Sequence, residues 1–92
     1  MATHKSAIKR AKQNEKRRLR NKSYRTRVKN VSKEVREAVA SNRSPEEIQA
    51  SLRKAVSTIQ KTASKGVIHK RKAARKISRL YRLANQALAA SS

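Results

Sequence analysis

The apolar residues of this chain fall into three stripes. Tyr24, Val28, Val31, Val35 and Ala38 recur at steps of four, three, four and three. Ile48, Leu52, Ala55, Ile59 and Ala63 form a second series, and Ala73, Ile77, Leu80, Ala84 and Leu88 a third. Such spacing puts each series on one face of a helix. Strand-like alternation is scarce, while Ala, Lys, Arg, Gln and Glu abound. The pattern predicts helices over about Ser6–Val39, Pro45–Ser64 and Lys70–Ala89.

Local signals mark the joints. In "SPEE", Ser44 can accept from first-turn amides, Pro45 suits the first helical position and Glu47 completes a capping box. The preceding "SNRS" reads as a short turn. Gly66, after the second series, suits a left-handed C-terminal cap. Val67 and Ile68 are expected to plug the end of the bundle.

Three stripes of similar length can close on one another. The expected fold is all-α, a three-helix antiparallel bundle with a long first helix extending beyond it. The 92 residues suffice for one domain, with an arm over residues 1–23 and the bundle over 24–92. Its core holds no Phe or Trp and much Ala, so modest stability in isolation is expected. Along the arm the seam is missing: Ala7, Ile8 and Ala11 point away from the Tyr24–Val35 face. Roughly 19 residues at 1.5 Å make an arm of about 28 Å, polar enough to fray in water.

Charge changes the picture most. Lys and Arg number 26 against five Glu and no Asp, a net charge of +21. Residues 1–30 hold twelve Lys/Arg and one Glu, residues 31–64 six and four, and residues 65–92 eight and none. The two ends therefore carry the charge and the middle is nearly neutral. Such a body repels itself and calls for a polyanion, nucleic acid before an anionic membrane surface. Lys5, Lys9, Lys12, Lys16 and Arg20 form a stripe at helical spacing, with Arg17 and Arg25 added to the expected contacts. In the third helix Arg71, Lys72, Arg75, Arg79 and Arg82 are expected on one face, opposite its apolar stripe, with Lys76 added. A solvated face normally mixes signs; these have no acids.

Only two aromatic residues occur, so no platform for stacking bases exists. Recognition is expected through phosphate and ribose, by shape rather than base sequence, and with strong salt dependence. Tyr24 and Tyr81 are expected to cover the core.

Other chemistry is thinly provided. The absence of Cys excludes disulfides, thiolate nucleophiles and Cys-based zinc sites, and suits a reducing compartment. No apolar run reaches membrane-spanning length, and no apolar segment follows the basic start as a secretory signal requires. A transit peptide is also Arg-rich, but here basic residues run to the far end. His4 and His69 lie far apart without a cluster of ligands, so no metal and no cofactor are expected. One glycine cannot build a phosphate loop, and a Ser–His–acid triad has no Asp. No enzymatic activity is expected. His69 can cap the third helix or hydrogen-bond a phosphate or ribose.

"KSAIKR" at Lys5–Arg10, the basic arm, the "SPEE" helix and "KGVIHKRKAARKISRL" at Lys65–Leu80 together resemble the ribosomal protein S20 family of the bacterial small subunit. The resemblance spans essentially the whole chain and is most specific over "KGVIHKRKAAR". It implies a three-helix bundle with a long first helix that binds small-subunit rRNA directly and early in assembly. It carries over Lys5, Ser6, Lys9 and Arg10 as arm contacts. At the third helix it carries over His69, Lys70, Lys72, Ala74 and Arg75, Ala74 as a small residue allowing close approach. A structural protein clamping separate rRNA helices is thus expected, a monomer within a cytoplasmic or organellar ribosome, beside other small-subunit components. A nucleoid-type DNA-compacting protein is the rival that composition permits, and a membrane-active amphipathic peptide is weaker, lacking apolar-face Trp or Phe.

Overall fold

The computed structural model describes the backbone of residues 2–91 and the side chains of residues 5–90. Helix α1 spans Ala2–Ala40, α2 spans Pro45–Ser64 and α3 spans Lys70–Ser91. The chain is all-α, with a first helix far longer than the bundle, as the periodicity predicted. α1 starts before Ser6 and α3 continues past Ala89, because polar and Ala-rich ends carry no apolar stripe to mark them.

Both joints use one device. After α2, Gly66 takes φ 76°. Its N–H donates to the Ala63 carbonyl (2.9 Å) and that of Val67 to the Thr62 carbonyl (3.2 Å). After α1, Asn42 takes φ 51°. Its N–H donates to the Val39 carbonyl (3.2 Å) and that of Arg43 to the Ala38 carbonyl (3.1 Å). Each pair of bonds is a Schellman motif that satisfies the orphan carbonyls of a helix end. The "SNRS" turn is therefore the Asn version of the Gly66 stop. Ser44 opens α2, its hydroxyl accepting from the Glu47 N–H at 3.3 Å. Pro45 sits in the first turn with Glu46 and Glu47, where carboxylates suit the positive end of the helix.

Side chains shared between helices fix their directions. Gln60 and Ala63 of α2 border the same groove as Ala73 and Ile77 of α3. Near the opposite end Leu52 shares a groove with Leu88. Lys54 reaches Glu34 of α1 at 3.4 Å, and Lys65 lies 5.6 Å from the Tyr24 ring centre. Hence α2 runs antiparallel to both neighbours, and α1 and α3 run parallel to each other. α2 packs on both, while α1 and α3 meet more sparingly. The core is Val28, Val31, Val35 and Ala38 from α1, Ile48, Leu52, Ala55 and Ile59 from α2, and Ala73, Leu80 and Ala84 from α3. Val67 and Ile68 are buried at the α2–α3 joint, the plug their sequence position predicted.

One residue adds to the expected stripe and one expectation needs correction. Ala63 packs against the core as expected, but the fully buried residue in the last turn of α2 is Thr62. Its hydroxyl donates to the Thr58 carbonyl at 2.7 Å, which lets a polar side chain enter the core. Tyr81 does not cover the core and is 45% exposed. Leu80 and Ala84 fill that face, and the next residue along is turned away by about 100°. Tyr24 is half-buried, as expected.

No atom lies within 4 Å of a Cβ built at Gly66, so only its backbone angle resists substitution. Gly66→Ala is expected to cost about 1–2 kcal/mol, lowering Tm by about 4–8 °C per kcal/mol. Asn42→Gly removes a milder strain and is expected to leave Tm unchanged or slightly raised. Thermal melts followed by circular dichroism check both, and an unaltered Tm in Gly66→Ala would refute the left-handed stop.

Candidate nucleic-acid interface

From Lys5 to Arg20 every side chain is exposed. This is the stretch of α1 without an apolar seam, and it overshoots the bundle at the end where α2 stops and α3 begins. Lys5, Lys9, Lys12, Lys16 and Arg20 run along it, with Ser6, Arg10 and Arg17 on the same arm. Its one acid, Glu15, accepts two hydrogen bonds from Arg18 (2.7 and 3.3 Å). That bond, and then the guanidinium charge, hold the Glu15 carboxyl below its ordinary range and push Arg18 up. The carboxylate is thus engaged by a cation outside the expected contact set. Ile8 and Leu19 are also exposed, at 46% and 54%; neither has a bundle surface to reach. Side chains of Thr3 and His4 lie outside the described residues.

The start of α3 stands beside the root of this arm. His69 is exposed. Its Nδ1 accepts from the Arg71 N–H at 3.1 Å, and its carbonyl accepts from the Ala73 N–H at 3.0 Å. His69 is therefore the N-cap of α3, which settles one of the two roles the sequence left open. With Nδ1 used as acceptor, Nε2 is the nitrogen left to donate outward. Lys70, Arg71 and Lys72 follow in the first turn, where no acid is present. Cations beside the positive pole of a helix are unfavourable on their own, and an anion there relieves both.

Further along, the expected single ridge divides. Arg71, Arg75 and Arg82 are exposed on the outer side of α3. Lys72, Lys76 and Arg79 instead border α1, facing Arg25 and Arg36 across a groove. The division follows from helical phase: Lys72, Lys76 and Arg79 step by four and three along one edge. Arg36 was not singled out from the sequence. It stands eleven residues after Arg25, three turns on and so on one face, which is the signal that could have found it. Ala74 lies on the other flank, toward α2, where Gln60, Ala63 and Ser64 line an open groove of about 470 Å³. Lys70 borders the same groove.

The ion pairs Arg18–Glu15 (2.7 Å), Lys33–Glu37 (3.8 Å) and Lys54–Glu34 (3.4 Å) involve none of the expected contact residues. Tyr24 lies between two cations, Arg27 at 5.1 Å and Lys65 at 5.6 Å from its ring centre, at the root of the arm. Among the described residues no cluster of three or more His, Asp or Glu stands together, and no helix is long and apolar enough to cross a membrane. What the arrangement can do chemically is bind phosphates with cations, helix N-terminal amides and an imidazole N–H.

Comparison with known proteins gives one answer. The sequence model of the family described as ribosomal protein S20 matches residues 2–85. The small ribosomal subunit protein bS20 of Syntrophobacter fumaroxidans is 55% identical over 85 residues, 92% of this chain and 98% of the relative. Its namesake in Maridesulfovibrio salexigens is 56% identical over 86 residues, covering 94% and 98%. That of Desulfotalea psychrophila is 53% identical over 90 residues, covering 98% and 100%.

The two roles open to His69 are separable. His69→Ala removes the cap and is expected to cost about 1 kcal/mol of stability. His69→Asp restores a capping acceptor and adds a favourable charge at the helix pole, so its Tm should equal or exceed that of the wild type. The same carboxylate repels a polyanion, so binding to nucleic acid should weaken. Thermal melts and filter binding check the pair; tighter binding by His69→Asp would remove α3's start from the interface.

Proposed function

The chain belongs to the ribosomal protein S20 family, and on that premise we propose that it is a structural component of the small ribosomal subunit that binds small-subunit rRNA. The family is a structural one, not a family of enzymes. The observation that carries the proposal is the placement of two acid-poor cationic surfaces at one end of the bundle, joined through a nearly neutral α2. The arm offers Lys5, Ser6, Lys9, Arg10, Lys12, Lys16, Arg17 and Arg20. The start and outer side of α3 offer His69, Lys70, Arg71 and Arg75, with Ala74 keeping one flank low, while Lys72, Lys76 and Arg79 lie on the edge beside α1.

These groups recognise phosphate and ribose. The chain has no aromatic platform for bases, so register comes from the spacing of cations and the shape of the RNA. Arm and α3 diverge from a common root and therefore reach different RNA segments, with the bundle setting the distance between them. The partners lie within the ribosome, rRNA first and neighbouring subunit components after it. Between Lys5 and Arg20 the arm has nothing in the bundle to pack on, so its helix forms fully against RNA and frays without it.

Hydroxyl-radical footprinting on small-subunit rRNA is expected to give protection on at least two separate helices. Protection of one hairpin alone would overturn the bridging role. Equal affinity for duplex DNA and for rRNA at moderate salt would favour a general DNA-compacting role instead. Far-ultraviolet circular dichroism is expected to gain helical signal, beyond the sum of the parts, when rRNA is added at low salt. Full helicity of the free chain would refute the folding of the arm on RNA.

A further inference from the structure

Where α1 and α3 run side by side, two small depressions adjoin. One, of about 140 Å³, is bordered by Arg25, Lys72 and Lys76 over Val28 and Ile68. The next, of about 90 Å³, is bordered by Arg36, Lys76 and Arg79 with Ser32 and Leu80 in its wall. Lys76 belongs to both, so they form one groove. Both are far below the ~300 Å³ at which organic-ligand pockets begin and suit a compact anion. No acid lines either depression. The nearest acids on α1 turn elsewhere, Glu34 to Lys54 of α2 and Glu37 to Lys33.

Ser32 supplies an independent observation. It is 8% exposed, and its hydroxyl oxygen is buried without a hydrogen-bond partner among the described residues. A hydroxyl in a helix ordinarily returns its proton to the carbonyl four residues back. Thr26 does so to Lys22 (2.9 Å) and Thr62 to Thr58 (2.7 Å). Ser32 does not. A buried hydroxyl left unpaired beside three cations lacks one thing, an acceptor with negative charge.

We propose that this groove seats a phosphodiester of the bound RNA, with the Ser32 hydroxyl donating to one phosphate oxygen and Arg36, Lys76 and Arg79 neutralising it, and Arg25 and Lys72 holding the next phosphate along. The site rests on the rRNA-binding reading and adds to it a third surface, separate from the arm and from the outer side of α3. Because its two walls come from parallel helices, an RNA strand lying in it ties α1 to α3 where the bundle itself holds them least.

The test uses the full chain and in-vitro transcribed small-subunit rRNA. Ser32→Ala is expected to weaken binding about three- to tenfold, the worth of a hydrogen bond, with no change in the salt dependence. It is also expected to raise the Tm of the free protein, because an unpaired buried hydroxyl is removed. Arg36→Gln and Arg79→Gln, at a position and an edge that do not build the core, should each flatten the plot of log affinity against log salt by about 0.7–0.9, one phosphate contact. Lys54→Gln on α2 is the control and should do neither. Wild-type affinity and slope in both Ser32→Ala and Arg36→Gln, with loss in Lys9→Gln, would overturn the groove while leaving rRNA binding intact. Failure of the wild type to prefer rRNA would overturn both. A lowered Tm in Ser32→Ala would show that its hydroxyl already has a partner and would overturn the seat.

Discussion

Everything in this molecule depends on holding two like-charged helices together long enough for a polyanion to arrive. α1 and α3 carry most of the positive charge and are acid-poor, α3 entirely so. They touch each other sparingly. What holds them is α2, whose Ile48, Leu52, Ala55 and Ile59 present an unbroken apolar face to both. Its outer side carries mixed charges that neither add to the repulsion nor compete for the ligand. Because the core consists of aliphatic and Ala side chains, the attraction that α2 supplies is limited by the area such small groups can bury. The fold is thus balanced against its own electrostatics, and a bound anion shifts that balance toward the folded state.

The joints explain how so thin a core still specifies one arrangement. Schellman turns at Asn42 and Gly66 fix where α1 and α2 end, and Ser44 and His69 fix where α2 and α3 begin. Four short polar devices set register, and the apolar stripes need only close the gaps. At His69, with Nδ1 accepting from the Arg71 N–H, the other ring nitrogen is left free of the cap.

Helix number, order and ends were legible from the stripes, the "SPEE" start and Gly66, because each is a local pattern within one helix. The arm was legible for the complementary reason, as a stretch where the stripe stops. What was not legible depends on relations across helices. Thr62 is polar and reads as surface, yet bonds to its own helix and is buried. Tyr81 is apolar enough to read as core, yet Leu80 and Ala84 take the space. Ser32 and Arg36 belong to α1 and acquire meaning only beside Lys76 and Arg79 of α3, forty or more positions later. The supposed single ridge on α3 was two edges, and which edge faced α1 could not be decided until α1 was in place.

α1 crosses from arm to bundle without a break over 39 residues. It therefore works as a screw. Adding one residue between Arg20 and Tyr24 would advance the arm by about 1.5 Å and rotate all of its cations by about 100° around the axis of the bundle. Deletion of one would do the reverse. The cationic stripe returns to its original heading only after length changes close to whole turns, such as seven or eleven residues, and then at a different reach. Such an arm is more sensitive to its length than its exposure suggests, and its pitch sets the increments in which it could lengthen or shorten.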